Sequence, residues 1–172
     1  SSHVTSHVIY LVKMVALIIF VQNVVHRATD YAMTYSQSKI MKELSKRIFG
    51  GMFERLGWNA RASEQPTDKE LRGMAITGLG HLDDPAILDE AQRLFDVGAI
   101  APDLRGVVYN LAAWRGEPHT FQRLIDMYHG TKDPEEQVRT LRATAGFKDA
   151  SRLDSALEFS MSSDVRGQDT LF

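Results

Sequence analysis

The sequence of 172 residues contains no cysteine. Disulfides are therefore excluded, and so are thiolate nucleophiles and thiolate metal sites. No segment shows sustained period-two alternation bounded by turn residues, so strands are not expected. Charge of one sign is not in excess, since the formal net charge is -2. The first sixty residues are net basic and the remainder net acidic. Lysines and arginines lie scattered among carboxylates rather than gathered in a stripe, which argues against nucleic-acid binding. The sequence has no phosphate-binding loop and no G-x-S-x-G nucleophile turn. Gly78-Leu79-Gly80 lacks the third glycine and the preceding strand of a dinucleotide fingerprint.

What is present is a repeat that shows in spacing more than in identity. An apolar-Arg pair recurs as Leu71-Arg72, Leu104-Arg105, Val138-Arg139 and Val165-Arg166. The first three are 33 and 34 residues apart (71 to 104, 104 to 138). Asp83-Asp84-Pro85, Gly116-Glu117-Pro118 and Lys148-Asp149-Ala150 fall at equivalent points between them. A period of this length marks stacked helix pairs. The expected fold is all-α: a right-handed superhelix of antiparallel hairpins, an α-solenoid of the HEAT or armadillo kind.

The helices can be placed by their ends. Thr67-Asp68-Lys69-Glu70 reads as a capping box, followed by an apolar stripe of Leu71, Met74, Ala75, Gly78 and Leu79, with Gly80 as a left-handed stop. Asp84-Pro85 supplies a cap acceptor with proline at the first helical position. Ile87, Leu88, Ala91, Leu94 and Phe95 then face the core, and Gly98 ends the helix. Pro102-Asp103 opens a third helix, with Leu104, Val107, Val108, Leu111 and Ala112 buried, ending at Gly116. Phe121, Leu124, Ile125 and Tyr128 mark a fourth, stopping near Gly130. Asp133-Pro134-Glu135-Glu136 starts a fifth, carrying Val138, Leu141 and Ala145 to Gly146. Leu153, Ala156, Leu157 and Met161 form the sixth.

The amino-terminal part differs, and the expected division is 1–35 against a partial repeat domain, 36–172. Residues 36–57 suit an amphipathic helix through Ile40, Leu44, Ile48, Met52 and Leu56, ended by Gly57. Upstream, Val8 to Val25 is almost entirely apolar and approaches the length of a membrane span. Lys13 inside the run is costly in hydrocarbon, and Ser1 to His7 lacks the basic start of a secretory signal. These features favour a helix buried under its neighbours in a cytoplasmic protein. Membrane association or secretion through residues 8–25 is the alternative. A chain starting at serine rather than methionine suggests a processed or excised product.

Candidate chemistry is thin. The histidines are His3, His7, His26, His81, His119 and His129, and none stands in H-E-x-x-H or in a spacing that completes a metal site. Asp83-Asp84 reads as an N-cap with a solvated neighbour rather than a carboxylate dyad. The repeated arginines have two uses. In one, each reaches a carboxylate or carbonyl of the adjacent repeat and fixes the stacking, a task suited to a planar multidentate group. In the other, Arg72, Arg105, Arg139 and Arg166 line one face and meet a carboxylate such as a peptide terminus. Tyr109 and Trp114 flank the same helix, where packing between repeats or a peptide-lining role both fit.

Several segments taken in order resemble one family. They are Leu56-Gly57-Trp58, Ala91-Gln92-Arg93-Leu94-Phe95-Asp96, Ile100-Ala101-Pro102-Asp103-Leu104-Arg105-Gly106-Val107-Val108-Tyr109, Thr131-Lys132-Asp133-Pro134-Glu135-Glu136 and Asp164-Val165-Arg166-Gly167-Gln168-Asp169. From Lys46 to Phe172 the chain is similar to the carboxy-terminal helical domain of zinc aminopeptidases of the puromycin-sensitive and endoplasmic-reticulum type. The resemblance implies that zinc, H-E-x-x-H and the substrate-gripping loop belong to a separate upstream domain. The helical domain would enclose the substrate chamber and contact the far end of a peptide. This chain would then hold no cofactor, carry no catalytic residue and be inactive alone. Its partners would be the catalytic domain and the peptide substrate. Arg105, Tyr109, Arg139, Arg166 and Gln168 are the candidate peptide contacts. The family domain continues beyond the V-R-x-Q-D segment, so an uncapped end at Phe172 makes self-association an expectation. A stand-alone HEAT-like interaction scaffold is the alternative function.

Overall fold

The computed structural model describes residues 39–165; the run Val8 to Val25, the division at residue 35, and Arg166 and Gln168 lie outside them. Among the described residues seven α-helices are present and no strand. They are α1 (Lys39–Leu56), α2 (Asp68–His81), α3 (Pro85–Val97), α4 (Arg105–Arg115, led in by a 3-10 turn at Pro102–Leu104), α5 (Thr120–Gly130), α6 (Pro134–Thr144) and α7 (Ala150–Ser160). The closest partnerships are α1 with α2, α3 with α4, and α5 with α6. The arginine-bearing helices α2, α4 and α6 are thus the second members of their hairpins, and they stack on one another in that order. The architecture is an α-solenoid.

Local chemistry explains most boundaries. The Asp84 carboxylate accepts from the Ile87 amide at 3.1 Å with Pro85 next in line, and Gly98 closes α3 at φ 77. A cap of this kind contributes about 1 kcal/mol. Asp133 with Pro134, and Asp149, cap α6 and α7 in the same way. The core joins Ile76 and Leu79 of α2, Ile87, Ala91 and Phe95 of α3, Val108, Leu111 and Ala112 of α4, Leu124 of α5, and Ala143 and Phe147.

Two sequence-derived ends are corrected. Thr67 has helical backbone angles and its hydroxyl makes no cap bond. The turn instead begins at Gln65, whose amide donates to the Asp68 carboxylate at 2.9 Å while the Asp68 amide donates to the Gln65 carbonyl. Pro66 stands between them, so the reciprocal cap lies two residues earlier than Thr67-x-x-Glu70 suggests. Gly80 does not stop α2, which runs on to His81 with Leu82 as its cap. Asp83 takes the left-handed conformation at φ 60. Gly80 is buried for another reason: a Cβ there would sit 2.4 Å from Leu111 Cδ2.

The buried stripes also turn slightly. In α2, Arg72, Ala75, Ile76 and Leu79 face inward, and Met74 is exposed. In α1, Phe49 and Phe53 pack against the core and Leu56 is buried, while Leu44 and Ile48 stay exposed. Met161, just past α7, is exposed as well.

Candidate peptide-contact site

The three apolar-Arg pairs among the described residues have different fates. Arg72 is 1% exposed and donates to the Glu64 carboxylate in the loop before α2. That hydrogen bond is the main reason the Glu64 carboxyl lies below its ordinary range. The remaining nitrogens of the buried guanidinium, Nε and Nη1, have no hydrogen-bond partner. Beside it, Arg55 and the Gln65 amide hold Asp68 below the usual carboxylate range. Arg72 is therefore a core residue, sealed beneath the loop that connects α1 to α2.

Arg105, Tyr109 and Arg139 come together, and the group that gathers them is Glu136. The Tyr109 hydroxyl donates to Glu136 Oε1 at 2.6 Å. Arg139 donates to Oε2 from one turn further along α6. Arg105 approaches the same Oε2 from α4 at 3.6 Å, an ion pair longer than a hydrogen bond. Two cations thus share one carboxylate across the α4–α6 seam, leaving an excess of one positive charge. The Arg139 stem crosses above Gly106 at 3.9 Å from where a Cβ would be. The Arg105 side chain remains 42% exposed, against 28% for Arg139. Arg105 is therefore the guanidinium with most freedom to take another carboxylate.

Tyr109 is mostly a packing residue. It is 5% exposed, and its ring stands edge-on to Phe95 with centroids 5.8 Å apart. Burial, then the hydrogen bond to Glu136 and that carboxylate's charge, push its phenol from 10.0 up to about 12, against smaller opposing effects of Arg105 and Arg139. The folded state therefore holds this proton more tightly than the unfolded chain. Stability from this group is complete below about pH 10 and is lost as pH rises through about 12. Tyr109→Phe should flatten that alkaline decline in melting temperature. An unchanged profile in the variant would remove Tyr109 as its origin.

Trp114 points to a different cluster. Its indole N–H donates to Asp83 Oδ1 at 3.0 Å, and Lys148 Nζ lies 2.6 Å from the same oxygen and 4.4 Å from the indole centroid. His81 stacks on the indole at 4.6 Å and meets Asn110 at 3.2 Å. Burial raises the Asp83 pKa, but the Lys148 and Trp114 hydrogen bonds outweigh it and leave the carboxyl below its usual value. Asp83 is thus more than the solvated neighbour of a cap. Glu136 and Lys148 are the participants that spacing alone missed. Glu136 had one available signal, its position three residues before Arg139 on the same helix face.

No metal-binding group forms among the described residues. His119 pairs with Asp96 at 2.8 Å, and His129 packs edge-on to Tyr128 and Phe159, so the described histidines stand at separate places. A zinc ion of the kind the resemblance implies does not fit them. Among the described residues, no helix is long and apolar enough to cross a membrane.

Comparison with known proteins adds what geometry cannot. The model of the ERAP1-like C-terminal domain matches residues 16–172. The chain belongs to the ERAP1-like C-terminal domain family. The match begins well upstream of Lys46, where the resemblance in sequence motifs starts. Aminopeptidase M1-A of Oryza sativa subsp. japonica is 30% identical over 129 residues, covering 69% of this chain and 15% of that protein. Aminopeptidase M1 of Arabidopsis thaliana is 29% identical over 141 residues, covering 74% and 16%. Aminopeptidase 2 of Candida albicans is 23% identical over 140 residues, covering 78% and 15%. The chain spans less than a fifth of the length of these relatives. The matched region therefore corresponds to one small part of each.

Proposed function

We propose that the chain is the non-catalytic helical portion of a zinc aminopeptidase, which encloses the substrate chamber while a separate domain removes amino-terminal residues from peptides. The match of residues 16–172 to the C-terminal domain family carries this reading, because the relatives are aminopeptidases of which the chain covers only a small part. The α4–α6 seam supports a contact with peptide. Arg105 and Arg139 share one carboxylate, and Arg105 holds it at 3.6 Å with 42% of its side chain in solvent. A peptide carboxylate would complete the charge balance through a charge-assisted hydrogen bond. Arg166 and Gln168 are proposed to extend the same contact.

The isolated chain should release no amino acid from aminoacyl reporter substrates and bind no stoichiometric zinc; zinc-dependent turnover by a pure sample would sink the proposal. Grafted into the matching stretch of Arabidopsis Aminopeptidase M1, Arg105→Ala should raise KM for peptides several residues long by about tenfold, ~1.4 kcal/mol of lost binding. The KM of a single aminoacyl reporter should not move. Equal effects on both substrates would assign Arg105 to packing alone.

A further inference from the structure

An open groove of about 580 Å³ runs along α2, within the roughly 300–1,000 Å³ of small-ligand sites. Phe49 of α1 lines it, with Lys69, Glu70, Gly73 and Met74 of α2 and Asp103 from the 3-10 turn before α4. Met74 is 57% exposed, so its thioether and the Phe49 ring offer apolar surface to whatever enters. Glu70 and Asp103 are exposed, and neither makes an ion pair or side-chain hydrogen bond among the described residues. Against Lys69 they leave the groove one negative charge in excess.

The repeat itself shows what kind of side chain such a place holds. Gly73 follows Leu71-Arg72 as Gly106 follows Leu104-Arg105, so the two glycines share one register. Over Gly106 lies the aliphatic stem of Arg139, its Cγ and Cδ both 3.9 Å from where a Cβ would stand, with its head bonded to Glu136. At Gly73 a Cβ would meet only Val107 among the described residues, at 3.7 Å. Arg105, which holds the register of Arg139, turns instead to Glu136 at 3.6 Å. Packing does not require glycine at 73, because 3.7 Å is ordinary contact and alanine is the better helix former. What the missing side chain preserves is the depth of the groove.

We propose that this groove takes an arginine side chain of a bound peptide, its stem over Gly73 against Met74 and Phe49 and its guanidinium on Glu70 and Asp103. The arrangement repeats with a ligand what Arg139, Gly106 and Glu136 do within the chain. An arginine suits each part: its stem covers apolar surface, its planar head stacks on an aromatic ring and its donors fit carboxylates. The inference rests on the peptide contact proposed for Arg105, and it extends that contact to sequence preference. Asp103 stands two residues before Arg105, and the seams on the two sides of α4 lie about one interhelical spacing apart, roughly 8–10 Å. Extended peptide advances about 3.3 Å per residue, so a peptide whose carboxylate meets Arg105 brings the side chain about three residues earlier to the groove.

The test uses the full chain and short alanine–serine peptides that carry one arginine about three residues before the terminal one. Replacing that arginine by citrulline, which keeps the shape and removes the charge, should raise Kd about tenfold in isothermal titration. Glu70→Gln combined with Asp103→Asn should abolish the difference between the two peptides. Gly73→Leu should bring the arginine peptide down to the affinity of the citrulline peptide. The same variant should hold or raise Tm, by up to about 4 °C, because leucine is the better helix former, so its lost binding is not lost folding. Amidation of the peptide carboxyl tests the Arg105 contact separately. If amidation changes nothing while citrulline still weakens binding, the groove is supported and the Arg105 contact falls. If citrulline binds as well as arginine while amidation weakens binding, the groove assignment is overturned and the Arg105 contact stands. A leucine peptide that binds more tightly than the arginine peptide, or no binding of any peptide at millimolar concentration, also overturns it.

Discussion

Phe95→Ala should destabilise the array by about 3–5 kcal/mol, a loss of roughly 6–20 °C in melting temperature for a domain of this size. Phe95 is 1% exposed and serves three helices at once. It projects from α3, meets Tyr109 of α4 edge-on, and carries the Arg123 guanidinium of α5 at 5.3 Å over its ring. Truncation removes the aromatic contact and the cation–π contact together, and it leaves a space that helices on either side must close. Arg123 keeps its hydrogen bonds to the Phe95 and Asp96 carbonyls, so α5 should remain attached. The variant is therefore expected to melt early but cooperatively, as seen by calorimetry and by coincident circular-dichroism and fluorescence transitions. A loss below about 1 kcal/mol would mean that the helices collapse into the gap and that Phe95 is not the junction described.

The second large effect is expected from Gly80→Val, which should cost about 2–3 kcal/mol by overpacking. A Cβ at Gly80 would lie 2.4 Å and 2.8 Å from the two terminal carbons of Leu111, which is itself 0% exposed. Helix propensity works the other way, since glycine is the weaker helix former by less than about 1 kcal/mol. Steric conflict outweighs that gain. The relief is equally specific. Leu111→Ala alone should cost about 2–5 kcal/mol, yet the double variant should be better than the sum by about 1–3 kcal/mol. Additive losses in urea titrations would show that α2 and α4 move apart freely and that Gly80 is not the limiting contact.

These residues also show where sequence reasoning reaches and where it stops. Asp84-Pro85, Asp133-Pro134, Gly98 and Gly116 are legible because a cap or a left-handed stop is satisfied within a few residues of itself. Gly80 misleads because its reason lies 31 positions away, at Leu111, and a local rule supplies a ready substitute. Thr67 misleads because two overlapping cap patterns compete there, and the one containing Pro66 and Asp68 prevails. On α1, periodicity identifies an apolar sector, but which part of it α2 covers depends on the crossing of the two helices. The candidate site is half legible. Arg105 and Arg139 stand out by their spacing, whereas Glu136, the carboxylate that joins them, repeats nowhere and is invisible to a search for repeats.

Lys148 bonds to Asp83 across 65 positions, over the end of α4 where Trp114 sits. Arrays of helical hairpins ordinarily communicate only between adjacent units, so that unfolding can fray from an end one unit at a time. A chord that skips a whole unit alters this behaviour. Loss of α6 and α7 from the stack removes the counter-ion of a residue held at φ 60 in the turn between α2 and α3, so fraying at the carboxy-terminal side is felt near the middle of the chain. Amides around Asp83 and those around Lys148 should therefore exchange with solvent as one unit, and the array behaves less like a zipper than like a closed ring.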